Sequence, residues 1–168
     1  VPLGGSLPRF LFGGNINLGY KNFDFSLAFQ GVGKQNSRYY MSMVKPIHGD
    51  WQNAPALIDG KYWSPLKSDE ENSKAIYPRI SSINASTNYA MSDYWMFNGR
   101  YVRLKNITIG YTVPSSISEK ILIKRARVYI SANDLFCISK YPQGWDPEMS
   151  EFGYPITSSL LFGLSVNF

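Results

Sequence analysis

The sequence predicts an all-β chain whose antiparallel strands cross a membrane as part of a barrel wall, with long loops on the outer side. Three observations predict it. The final stretch, SSLLFGLSVNF, places Leu160, Phe162, Leu164, Val166 and Phe168 on one parity and Ser159, Leu161, Gly163, Ser165 and Asn167 on the other, the period of a strand with one apolar face. The same division recurs in FDFSLAFQ, where Phe23, Phe25, Leu27 and Phe29 stand against Asp24, Ser26, Ala28 and Gln30. That contrast is sharper than a soluble sandwich shows, and lipid outside with a wet lumen inside produces it. The connections are also unequal, very short at one end and very long at the other, as in outer-membrane barrels. No run of about eighteen apolar residues is present, which removes a membrane-crossing helix and leaves the strand reading untouched.

The first strand is predicted at about 10–20, with Phe12, Gly14, Ile16, Leu18 and Tyr20 on the apolar parity and Gly13, Asn15, Asn17 and Gly19 opposite. Lys21 and Asn22 form a two-residue connection, so the strand at about 23–32 makes a hairpin with it, turning on the periplasmic side. Residues 33–99 keep no sustained period and contain Pro46, Pro55, Pro65 and Pro78. They read as a long extracellular loop holding short helices, since compact domains rarely carry so long an unstructured connection. GRYVRLKNITIGYTVP gives a third strand at about 100–113, closed by Pro114, with Ile107, Ile109, Tyr111 and Val113 outward. Arg103 and Lys105 share that outward parity, and a cation on the lipid face costs about 2–4 kcal/mol at the midplane. Either a bulge near Lys105 or snorkelling toward the rim relieves them, and the alternation leaves both open. SSISE, with three serines ahead of Glu119, suggests a short capped turn on the periplasmic side. A strand at about 125–138 follows, in which the run Leu135-Phe136-Cys137-Ile138 blurs the parity as a bulge does. An outer loop at about 139–157 leads to the last strand, at about 158–168. Five strands leave two open edges, which lipid cannot satisfy, so closure with further strands is expected.

Composition narrows the function. The net charge of +5 is spread along the chain with no basic stripe, so nucleic acid is not an expected partner. A single Cys137 excludes an intrachain disulfide. VPLGGSLPRF lacks the basic and apolar regions of a signal peptide, so an export signal is expected upstream or already removed. His48 and Cys137 form no metal-ligand or nucleophile constellation, and no metal or cofactor is expected. Asp146, Glu148 and Glu151 crowd one loop, but glycoside hydrolysis needs a fixed carboxyl separation and a desolvated acid, so they read as turn chemistry and the chain as no enzyme. Trp51, Trp63, Trp95 and Trp145 lie in or near the outer loops, where their faces suit either loop packing or stacking on a ligand.

GGNINLGYKNFDFSLAFQGVG, DYWMFNGRYVRLKNITIGYTVP, RARVYISANDLF, GWDPE and YPITSSLLFGLSVNF, in this order, resemble the C-terminal barrel portion of SusC/RagA-type TonB-dependent transporters, outer-membrane importers of the Bacteroidetes. The resemblance implies that these are the last five strands of a barrel of about 22. It also implies an N-terminal plug and energy from the TonB complex, both outside these residues, a SusD-like surface lipoprotein over the mouth, and uptake of an oligomeric nutrient, glycan or peptide. On that reading Tyr39, Tyr40, Trp51, Trp63, Trp95, Trp145, Asp146 and Glu148 are candidate contacts for cargo or lid. Phe162, Leu164, Val166 and Phe168 resemble the terminal signal read by the outer-membrane assembly machinery. In SANDLF, Asp134 stands where the family commonly has Asn, which bears on the hydrogen bonding of any bulge there. Two other readings stay open. A surface β-sheet binding module needs a second sheet over the Phe23–Phe29 face, and a passive porin needs no plug.

Overall fold

The computed structural model describes residues 4–47, 54–81, 85–118, 120, 122–150 and 152–168. His48, Trp51, Asn84, Glu119 and Glu151 lie outside them. The chain divides into two compact units, one of Gly5–Asn36 with Asn98–Phe168 and one of Ser37–Phe97 with Val1–Gly4.

The first unit is an antiparallel sheet of β1 (Leu11–Tyr20), β2 (Phe23–Val32), β5 (Tyr101–Thr112), β6 (Arg125–Ser139) and β7 (Ser159–Asn167), in that spatial order. Short turns join β1 to β2 and β5 to β6 at one end, and long connections join β2 to β5 and β6 to β7 at the other. The β1–β2 turn is only Lys21 and Asn22, and it places Lys21 at a positive φ of 52°. Between β5 and β6 the turn contains α4 (Ser115–Ser118), whose Ile117 and Ser118 amides donate to the Pro114 carbonyl. Register aligns like with like across all five strands. Leu18, Phe25, Ile109, Ile130 and Phe162 form one continuous row, and Asn17, Ser26, Thr108, Ser131 and Leu161 form the row behind it. A two-residue period in every strand keeps these rows on opposite faces. The apolar row is solvent-exposed at Leu18, Ile109, Ile130 and Phe162.

A bulge interrupts the regular register. Ala28 faces Asn106 but Phe29 faces Leu104, and on the other side Asn106 faces Asn133 while Leu104 faces Phe136. Lys105 is therefore extra against β2, and it stands opposite the two residues Asp134 and Leu135 of β6. Asp134 takes a φ of 49°, the left-handed conformation that Asp and Asn tolerate better than most side chains. The extra residue resets the parity, so Leu104 rejoins Phe29 and Phe136 on the apolar face and Arg103 joins Gln30 and Cys137 on the polar one. The outward parity expected for Arg103 from simple alternation is thus corrected: the strand turns the cation inward.

The Ser37–Phe97 unit replaces a loop without regular period by a small packed body. It contains α1 (Met41–Val44), a 3-10 turn at Ala56–Ile58, α2 (Asp69–Ser73), α3 (Ala85–Asn88) and a 3-10 turn at Asp93–Trp95. A pair of short strands, β3 (Asn36–Arg38) and β4 (Met96–Asn98), brings the two ends of the segment together. α2 starts where Ser68 and Glu71 form a capping box, the Glu71 amide donating to Ser68 Oγ at 3.3 Å and the Ser68 amide to Glu71 Oε2 at 2.9 Å. The core is Val44, Ile58, Tyr77, Tyr89 and Trp95.

Candidate functional site

The polar face of the sheet is cross-linked by its own side chains. Arg127 of β6 donates from Nε to Asp24 Oδ1 at 2.9 Å and from Nη2 to Oδ2 at 2.5 Å, reaching across β5 to β2. The bridge passes over Gly110, where an added Cβ would overlap both the guanidinium and the carboxylate. The Tyr129 ring covers Gly163 in the same way, and Arg127 sits 4.8 Å from its centroid. Next along the face, Asn106 Nδ2 donates to Ser131 Oγ (3.0 Å) and Asn133 Oδ1 (2.7 Å), Thr108 and Ser131 hydroxyls lie 2.8 Å apart, and Asn133 donates to Ser159 (3.2 Å).

At the bulge the loop between β6 and β7 folds onto this face. Arg103, only 3% exposed, is paired through Nη2 with Asp146 and through Nε with Glu148 Oε1 at 3.1 Å. Lys105 Nζ lies 2.7 Å from Asp134 and 3.4 Å from Glu148, and Gln30 donates to Glu148 at 2.9 Å. Asp146 also accepts from the Glu148 amide (2.9 Å) and the Ile156 amide (3.3 Å), so one carboxylate pins two distant points of the loop. Buried ions persist only when paired, and each of these has an oppositely charged partner within 3.4 Å. A cavity of about 270 Å³ beside the cluster is lined by Phe136, Trp145, Asp146, Pro155 and Ile156.

Asp146 and Glu148, expected to meet cargo or lid, have their carboxylates paired with Arg103 and Lys105. Trp95 is 3% exposed, at the centre of an aromatic cluster. Tyr89 stacks on it at 5.0 Å and Tyr77 at 6.2 Å, Tyr39 and Tyr94 meet it edge-on, and its Nε1 donates to the Asn88 carbonyl. Burial pushes the hydroxyls of Tyr77 and Tyr89 above the ordinary phenol range. Tyr39 and Tyr40 are half-buried, the latter leading into α1, whereas Trp63 is 42% exposed. Trp145 is half-buried at the cavity. Phe162, Leu164 and Val166 lie on the apolar face, and Phe168 follows β7 at 77% exposure. Arg103, Lys105 and Asp134 were not singled out as site residues from the sequence. The usable signal was charge balance, two cations on a misplaced parity near three carboxylates.

No family model matches the chain. It is 31% identical over 147 residues to TonB-dependent receptor P3 of Formosa agariphila, covering 87% of this chain and 13% of that protein. Against TonB-dependent receptor SusC of Bacteroides thetaiotaomicron it is 29% identical over 163 residues, 94% of this chain and 15% of the relative. Along nearly its whole length the chain is a homologue of TonB-dependent receptors, SusC among them. It spans less than a fifth of the length of the curated relatives it matches. Its fold superposes on the RagAB peptide importer in the open-open and closed-closed states with a TM-score of 0.72 in each, at 20% and 19% identity, over 97% of this chain and 17–18% of theirs. Receptors of this type are outer-membrane β-barrels and not enzymes, and in such barrels apolar rows face lipid and polar faces the lumen.

Proposed function

We propose that this receptor segment forms the last five strands of a barrel of about 22 that imports an oligomeric nutrient, glycan or peptide, across the outer membrane. The plug and the TonB contact belong to parts of the protein outside this chain, and a SusD-like lipoprotein covers the mouth. The observation that supports this best is the two-faced sheet: a continuous exposed apolar row outside, and inside a face of paired polar side chains with an outer loop folded onto it. RagAB, on which the fold superposes, is a peptide importer, and at 20% identity that likeness carries the fold alone. The unit Ser37–Phe97 and the 139–157 loop then face outward, and exposed Trp63 with half-buried Tyr39, Tyr40 and Trp145 are the contacts left for lid or cargo.

The test is to shorten the segment between Lys45 and Pro78 in the intact transporter. Lipoprotein co-purification should fall while the barrel stays heat-modifiable. Unchanged lid retention together with normal uptake would remove the partner reading, and a barrel that admits solute without a plug would favour the porin.

A further inference from the structure

The charged cluster at the bulge joins two parts of the chain that are 43 residues apart, a strand of the wall and the loop that follows the next strand. Its composition is unequal in origin. The wall supplies Arg103, Lys105 and Gln30, the β6 side of the bulge supplies Asp134, and the loop supplies only acceptors, Asp146 and Glu148. Within the loop, Asp146 is already tied to the Glu148 and Ile156 amides, so the loop holds its own shape. The links from Asp146 and Glu148 to Arg103, Lys105 and Gln30 hold that shape against the lumen. We infer that Arg103 and Lys105 are positioning residues that clasp the outer loop to the barrel wall, and that the bulge exists to turn them inward. A regular β5 would direct both cations to lipid and leave the loop carboxylates without counter-ions. Asp134 belongs to the same device. Its left-handed backbone accommodates the bulge and its carboxylate neutralises Lys105, where an Asn would leave that ammonium to share Glu148 with Arg103. The inference goes beyond the import reading and depends on neither the cargo nor the lid.

Phe152 and Tyr154, 89% and 86% exposed, give a native readout at the tip of the same loop. Chymotrypsin cuts after such residues only when several neighbours open together, so the nicking rate reports how firmly the loop is held. In the purified full-length receptor, R103M is expected to raise nicking after Phe152 or Tyr154 by about tenfold, while R103K keeps a cation and returns the rate to within about threefold of wild type. The exchange R103D/D146R, with the pair reversed, should also recover part of the protection. Heat-modifiability, measured on each sample, separates a loose loop from a misassembled barrel. If R103M does not assemble, E148Q and D146N, changed on the loop side alone, take its place with the same expected rise. Wild-type nicking in an assembled R103M, or in E148Q and D146N, overturns the clasp. Uptake and lipoprotein retention, measured in parallel, can be lost or kept without changing this outcome, so failure of the import reading is distinguishable from failure of the clasp.

Discussion

Gly110 has no side chain because a salt bridge crosses above it. A methyl group there would displace Arg127 from Asp24, two ions held on either side of β5. Gly110→Val in the full-length receptor is expected to lower barrel stability by about 1–3 kcal/mol, as overpacking does. The heat-modification midpoint measures it. The same substitution in a D24N/R127Q background should cost much less, and equal losses in both backgrounds would show that the bridge is not the reason for the glycine. Tyr89 offers the opposite case. Its buried hydroxyl has no hydrogen-bond partner among the described residues, so Tyr89→Phe should leave the Ser37–Phe97 unit as resistant to protease as before, or up to about 1 kcal/mol more stable. Tyr77 and Tyr89 ionise less readily in the folded unit than in an unfolded chain. Their contribution is therefore complete below the ordinary phenol value of 10.0 and is lost as pH rises through the elevated folded value. In an ultraviolet tyrosinate titration of the receptor, Y77F and Y89F should each remove one late-ionising group.

The elements differ in how plainly the sequence announces them. β1, β2 and β7 follow from strict alternation, because each keeps one parity from end to end. β5 and β6 do not, since one extra residue at Lys105 reverses the meaning of every position beyond it, and alternation alone cannot say which residue is the extra one. Within 37–97 the helical turns are three to five residues long, too short for any period to be visible, and Ser68 with Glu71 was the one local signature available. Trp95 was legible as important but not as buried, since an isolated Trp looks alike in a core and at a mouth. The Asp146 and Glu148 partnerships span 43 residues and no local pattern carries them. β7 also carries a prediction of its own. Deleting Phe168 or replacing it with Asp in the full-length receptor should lower the amount of assembled barrel several-fold, by about 1 kcal/mol or more of lost recognition. The molecules that do insert should remain heat-modifiable at the normal midpoint. Surface levels equal to wild type for both variants would count against an assembly role.

For the whole chain, the exposed apolar rows and the unpaired outer edges of β1 and β7 set its behaviour away from lipid. Residues 1–168 expressed alone should aggregate without detergent, because open edges template pairing between copies and the Leu18–Phe162 row has nothing to cover it. Size-exclusion chromatography tests this directly. A monomeric, cooperatively unfolding species would mean that the sheet covers its own apolar face and needs no membrane. What the sheet does toward its other side has a separate consequence. From β5 to β7 the inward amides, hydroxyls and ions are bonded laterally to one another, Asn106 to Asn133 and Ser131, Asn133 to Ser159, Arg127 to Asp24. A polar solute moving along such a surface finds few idle donors or acceptors to exchange for its water. On the proposed import reading, such a wall is hydrophilic enough to stay wet and too self-engaged to be adhesive, and would offer low friction where a row of free amides would be sticky.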